Sequence, residues 1–279
     1  MGRIRNTIDL AKTSWGVLQK DRELIVLPVL SFFVGLIVLA VFVVPGILAL
    51  PEETTSGASE EQALPALSVI LFALGSFAAT IVSVFFTGAL VAGAHERMSG
   101  GDPTVGSAIG KATQRIGGLV PWAILTATVG MIIQALRERA GWLANLLLGG
   151  IEMAWNVASF LTIPAIVIDN KGPIDGFKTS TGLLRQTWGE NLASQVGFGL
   201  LSFVAIIPAV LLVVLAAAAG VTAFTVAAFL IAAAWIALVL AVVSALSGIF
   251  RAALYMYATS GQTPEGFEAA NLGGTFTRN

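Results

Sequence analysis

The chain has 279 residues, of which 56% are hydrophobic and 11% are charged, and its mean hydropathy is +0.88. A soluble domain carries about a quarter charged residues, so this chain has too few charges to cover a water-exposed surface. The composition excludes a soluble enzyme and a disordered chain, and the net charge of −1 offers no attraction to nucleic acid. Because cysteine is absent, disulfide frameworks, thiolate zinc sites and iron–sulfur clusters are excluded as well. The remaining class is a polytopic membrane protein with a single transmembrane domain over residues 1–279.

Membrane-spanning segments are predicted from the length of the apolar stretches. A spanning helix needs about 20 mostly apolar residues, and helices are expected because backbone groups in lipid must bond to one another. The division between the last two stretches is weak, since Gly220 is its one helix breaker, and five spans with a re-entrant hairpin remain an alternative. The six stretches that meet the criterion are Leu24–Leu50, Ala63–Ala94, Gly118–Leu136, Trp142–Ile168, Leu192–Leu215 and Val221–Tyr257.

The basic residues predict the orientation. All of the 15 Lys and Arg residues except Arg137 and Arg139 flank the same set of span ends. The positive-inside rule therefore predicts two cytoplasmic termini, with residues 259–279 as a cytoplasmic tail, in the inner membrane of a prokaryote. Residues 1–23 carry both signs of charge and precede an apolar stretch longer than that of a signal peptide, so we expect the first span to be retained.

An internal repeat is the most informative sequence feature. Segment Ile8–Leu18 recurs as Ile174–Leu184 with seven of eleven residues identical, and Phe86–Leu90 matches Phe250–Leu254 at the ends of the hairpins that follow. Proline, which favours the first turn of a helix, comes after spans two, four and six. We therefore predict an all-α polytopic membrane helix bundle of six transmembrane helices, built from three parallel repeats of an amphipathic helix plus a hairpin.

The amphipathic helices are predicted at residues 1–23, 102–117 and 172–190, on the cytoplasmic side. Trp15 and Trp188 are candidate interfacial or lipid contacts, since tryptophan favours the headgroup region. One interpretation is that these helices brace the bundle, and the other is that they recognise lipid or a partner protein.

Three segments resemble a family of uncharacterised prokaryotic integral membrane proteins. They are Phe86–Ala94 leading to Pro103, Pro164–Ile168 at the end of span four, and Trp188–Asn191 before span five. The resemblance implies a six-span architecture with no assigned activity and provides no catalytic or ligand residues.

Glu152 is the candidate intramembrane polar site, together with Asn156 and Gln134. It is predicted near mid-bilayer in span four, where an ionisable group costs at least about 2.5 kcal/mol and is a functional hypothesis by default. A carboxylate and an amide one helical turn apart can hold a cation or pass a proton. In the alternative interpretations, a protonated Glu152 bonds Gln134 or Asn156 and joins helices, or the span begins late and Glu152 lies near the outer surface.

Three further features of the sequence are Arg251, a ridge of small residues and a single histidine. Arg251, late in span six, is predicted to extend to the cytoplasmic headgroups; a pair with Glu96 or binding of an anionic lipid is the alternative. Ser244, Gly248 and Ala252 form a small-residue ridge that predicts close helix packing. A lone histidine, His95, without cysteine cannot build a usual metal site.

The predicted function is that of a non-enzymatic scaffold, assembly or lipid-organising protein without a cofactor. Its expected partners are the lipid bilayer and other membrane proteins or further copies of itself. Nucleic acid is not expected as a partner. The alternative is a small transporter or channel with a polar path at Glu152 and Asn156.

Overall fold

The structure, a computed structural model, describes residues 12–50, 65–188 and 196–267. Every regular element within these ranges is helical, which confirms the all-α prediction for this part of the chain. Residues 12–20 form α1, and a short 3-10 turn, Arg22–Ile25, leads into the second helix. The helices that follow are α2 (Val26–Leu48), α3 (Ala66–Met98), α4 (Val105–Gln114), α5 (Ile116–Glu138), α6 (Trp142–Ala158), α7 (Thr162–Asp169), α8 (Pro173–Trp188), α9 (Val196–Ala218) and α10 (Thr222–Ser260).

Several of these helices are long and apolar enough to cross a membrane. Within the described ranges there are five such segments, and α9 adds a shorter apolar stretch, Ser202–Ala218. The chain is therefore a multi-pass membrane protein by the length and composition of its helices. The sixth span stays a prediction. The five segments are Arg22–Leu48, Ala66–Met98, Ile116–Glu138, Trp142–Asp169 and Thr222–Ser260.

The bundle has a packed end and an open end. At the packed end, the second halves of α3 and α10 meet α4, α7 and the first half of α5 around one buried apolar cluster that includes Leu90, Trp122 and Phe250. At the open end, large apolar side chains such as Phe33, Leu147 and Phe229 are exposed. Because water-exposed apolar surface of this extent is unfavourable, these side chains indicate contact with a lipid bilayer.

Two helices are longer than a bilayer requires. At about 1.5 Å per residue, the 33 residues of α3 and the 39 residues of α10 extend about 50 Å and 58 Å, against a hydrocarbon core of about 30 Å. Their second halves lie in the packed end, where their small residues allow close contact. A Cβ added at Gly248 of α10 would overlap Leu90 of α3, and Ala252 is fully buried. The predicted close packing is therefore confirmed for Gly248 and Ala252.

The segment predicted as one span over Trp142–Ile168 is divided in two. Residues 159–161 interrupt it between α6 and α7, and Pro164 follows in the first turn of α7. Ser180 of α8 occupies the break: its hydroxyl donates to the carbonyl of Ala158 at 2.6 Å and accepts from the backbone N–H of Leu161 at 3.0 Å. The interruption is stable because these buried backbone groups have a side-chain partner.

The short helices begin where proline predicts. Pro173 is the first residue of α8, and Pro103 precedes α4, whose N-cap Thr104 exchanges hydrogen bonds with Ser107 in a capping box. Ala108 and Ala112 of α4 are fully buried, so this helix packs onto the core. Residues 1–11, in the first predicted amphipathic helix, and residues 268–279, in the predicted tail, lie outside the described residues.

Candidate functional site

Glu152 lies on α6 and forms an ion pair with Arg137 in the last turn of α5. The Arg137 Nη2 to Glu152 Oε2 distance is 2.5 Å, and the two side chains are 34% and 45% exposed. The Arg137 side chain extends along α6 as far as Gly149, 3.9 Å from an added Cβ there. The carboxylate therefore has a cationic partner toward the open end, which the sequence prediction did not assign to it.

The other two residues of the predicted polar site are not drawn to Glu152. Asn156 and Gln134 are both exposed, and neither side chain makes a hydrogen bond within the described part of the chain. Trp155, between Glu152 and Asn156 in the sequence, stacks on Trp122 and Phe177, with ring centroids 5.9 Å and 5.2 Å away. The aromatic stack packs α6 against α5 and α8 beside the helix break.

Arg251 lies inside the packed end rather than beside Glu96. Its guanidinium carbon is 4.6 Å from the centroid of the Phe160 ring, a cation–π distance, and its Nε is buried without a hydrogen-bond partner among the described residues. Glu96 instead pairs with Lys111 of α4 at 3.0 Å. The structure thus brings Arg251 to the break between α6 and α7.

The structure describes the side chain of one of the two tryptophans that were predicted to lie at the membrane interface. Trp15 of α1 is 41% exposed, while its neighbours Val17 and Leu18 are buried in the core. The buried face of α1 therefore includes Ser14, Val17 and Leu18, and Trp15 points away from it. Trp188 ends α8, and its side chain lies outside the described part of the structure.

A layer of polar side chains surrounds the packed end. Arg97, at the end of α3, forms ion pairs with Asp21 before α2 and with Asp102 before α4. Asp169, at the end of α7, accepts a hydrogen bond from the buried Tyr255 at 2.5 Å and pairs with Lys171 at 3.4 Å. The Arg97–Asp21 and Tyr255–Asp169 contacts connect residues that are 76 and 86 positions apart in the sequence. Sequence reasoning missed these two contacts because nothing local marks the partners.

Two cavities lie beside α10. The first, of about 470 Å³, is a half-open groove bordered by α2, α3 and α10, and its mainly apolar lining includes Ser31, Ser83, Thr87 and Ser244. The second, also about 470 Å³, lies between α9 and α10 and is lined by apolar side chains, with Phe32 shared between the two. Neither cavity is lined by Glu152, Asn156 or Gln134.

No metal centre is evident in the described ranges: no group of three or more His, Asp or Glu side chains there is arranged to hold a metal ion. His95 instead has its Nδ1 3.3 Å from the sulfur of Met256, next to the polar layer. The charged groups described above bond mainly to one another.

The fold defines a multi-pass α-helical membrane protein whose helices pack tightly at one end. Over residues 66–267, well over half of its 279 residues, the chain matches the model of a family of unknown function, DUF6159, and it belongs to that family. A search of curated proteins finds no match.

Proposed function

We propose that this protein is a non-enzymatic membrane scaffold that organises lipid around its open end. The observation that carries the proposal is the division of the bundle: one end is a closed apolar core, and the helices of the other end expose large apolar side chains. A surface of this kind offers grooves to acyl chains or to the helices of other membrane proteins.

The charged residues support a structural role. Arg97 bonds Asp21 and Asp102, and Glu152 bonds Arg137, so each of these three carboxylates is paired with a neighbouring cation. A catalytic carboxylate or a proton carrier is expected to face a cleft that its substrate can enter. Neither described cavity reaches Glu152, which favours the scaffold over a transporter with a path at Glu152 and Asn156.

The proposal includes the six-span topology of the sequence prediction, in the inner membrane of a prokaryote. Helices α1, α4 and α8 each precede a pair of long apolar segments, in keeping with three repeats. Ser14 and Ser180, which occupy the same position in the sequence repeat, are both fully buried. The packed end is then cytoplasmic, because the basic residues other than Arg137 and Arg139 belong to that side.

The test is purification of the full chain in discs of native membrane, followed by identification of the lipids and proteins that remain bound. We expect lipid of the surrounding membrane to stay bound when the discs are exchanged for detergent, or one membrane protein to be enriched. Liposomes containing wild-type protein or the Glu152→Gln variant are assayed in parallel for proton and cation flux. Flux that the variant abolishes would establish transport instead, and the absence of any retained lipid or enriched protein would contradict the scaffold.

A further inference from the structure

We propose that the cavity between α2, α3 and α10 binds a glycerophospholipid of the surrounding bilayer through the ester and glycerol oxygens of the lipid. This inference rests on the lipid-organising role proposed above and assigns it a site. The cavity has a volume of about 470 Å³ and lies within three of the apolar membrane-spanning segments. A bilayer lipid is therefore the molecule in direct contact with its opening.

The hydroxyl groups that line the cavity carry the argument. Ser83 and Thr87 lie one turn apart on α3, and Ser31 of α2 and Ser244 of α10 complete the set. Within the described part of the chain, none of these four hydroxyls has a hydrogen-bond partner. In a hydrocarbon environment an unsatisfied hydroxyl is unfavourable, so their convergence from three helices indicates a polar ligand.

Two other hydroxyl groups on α3 are bonded to the backbone of their own helix. Earlier in α3, Ser76 and Thr80 donate hydrogen bonds to backbone carbonyls of the same helix, at 2.9 Å to that of Phe72 and 2.8 Å to that of Ser76. A membrane helix normally satisfies its hydroxyls in this way. Ser83 and Thr87 do not, and both border the cavity, so their hydroxyls are available to an acceptor within it.

The lining residues specify the chemistry of the occupant. No Lys, Arg, His, Asp or Glu lines either cavity, so the recognised part of the ligand is uncharged and accepts hydrogen bonds. The apolar second cavity continues past Phe32, Ala237 and Leu240, which border both spaces. An uncharged group of acceptors joined to a long apolar chain is the ester region of a glycerophospholipid with its acyl chain. The headgroup is then not what the site recognises.

The binding test uses the full chain in detergent and native mass spectrometry with defined lipids. We expect diester phosphatidylglycerol and diester phosphatidylethanolamine to bind equally well. A diether phosphatidylglycerol, which lacks the carbonyl acceptors, should bind about tenfold more weakly, the size expected for two lost hydrogen bonds. The double variant S83A/T87V should weaken binding of the diester lipid by a similar factor and leave binding of the diether lipid unchanged.

The matched control is S76A/T80V, which removes two hydroxyls from the same helix that are already bonded to its backbone. This control should bind both lipids as the wild type does. A second measurement needs no variant: a phosphatidylglycerol with a photoreactive acyl chain should crosslink wild-type protein at α9 and α10 near Ala237. Crosslinks spread evenly over all the apolar helices would overturn the site.

The outcomes separate this inference from the proposed function. If lipid stays bound to the purified protein but S83A/T87V and the control bind it equally, the site is wrong and the lipid-organising role stands. A strong preference for one headgroup would also overturn recognition through the ester region. If no lipid stays bound at all, both this site and the lipid-organising role are wrong.

Discussion

At the residue scale, Arg97 holds together three parts of the chain at the packed end. Its guanidinium pairs with Asp21, which is 6% exposed, and with Asp102, which is 92% exposed. The two carboxylates share one cation but differ in burial, and burial decides how much an ion pair matters. The buried Asp21 carboxylate is shielded from water and depends on Arg97 for its hydrogen bonds, whereas the exposed Asp102 carboxylate is solvated by water.

We predict that Asp21→Asn destabilises the protein much more than Asp102→Asn. The first change should cost about 1.5–3 kcal/mol, the range for a lost hydrogen bond to a charged group, because Arg97 keeps Asp102 as a partner; the second should cost less than about 1 kcal/mol. The measurement is thermal unfolding in detergent, followed by tryptophan fluorescence at low and high salt. Any effect of D102N should fade in high salt, and that of D21N should persist. Equal losses for the two variants would contradict this account.

Single residues were only partly predictable from the sequence. Glu152 was identifiable because a charge within an apolar stretch is conspicuous. Its partner Arg137 was not, since the pair forms only because the Arg137 side chain extends along α6. The cavity hydroxyls were hidden for another reason: serine and threonine are ordinary in membrane helices, and their significance depends on which of them lack a backbone partner.

At the scale of elements, the break between α6 and α7 shows how a distant side chain alters a helix. Pro164 cannot donate a backbone hydrogen bond, so the sequence indicates a weakened ladder near Phe160. Hydropathy alone predicts one continuous span, because residues 159–161 are not strongly polar. Ser180 provides what the pattern lacks, as it bonds both sides of the break from a separate helix. Long apolar helices are thus predictable from local sequence, and their interruptions depend on tertiary contacts.

We predict opposite effects from removing the two serines that the sequence repeat aligns. Ser180→Ala leaves the Ala158 carbonyl and the Leu161 N–H without their side-chain partner and should cost about 1–3 kcal/mol. Ser14 is equally buried, but its hydroxyl has no partner in the described structure, so Ser14→Ala should be neutral or slightly stabilising. Thermal unfolding of both variants, with wild type as the reference, provides the comparison. A larger loss for S14A than for S180A would refute the capping role of Ser180.

At the scale of the whole molecule, α9 and α10 decide between six spans and five. Trp235 of α10 donates a hydrogen bond to the carbonyl of Ala205 in α9 at 2.8 Å, so these two residues lie at the same level. The chain turns near Gly220, which has a positive φ of 71°. About 15 residues on each side of that turn extend roughly 22 Å beyond the Trp235 level. The 23 residues of α9 are about 34 Å long, enough to cross the hydrocarbon core of about 30 Å.

We therefore predict that the turn between α9 and α10 reaches the outer surface. The chain has no cysteine, so a single introduced cysteine provides one reactive thiol for a membrane-impermeant maleimide. Ala219→Cys should react in intact cells as readily as Ala140→Cys, which follows α5 near Arg139. Thr113→Cys, exposed on α4 at the packed end, should react only after the membrane is permeabilised. Protection of A219C while A140C reacts would contradict six spans and indicate a re-entrant hairpin, and labelling of T113C in intact cells would invert the orientation.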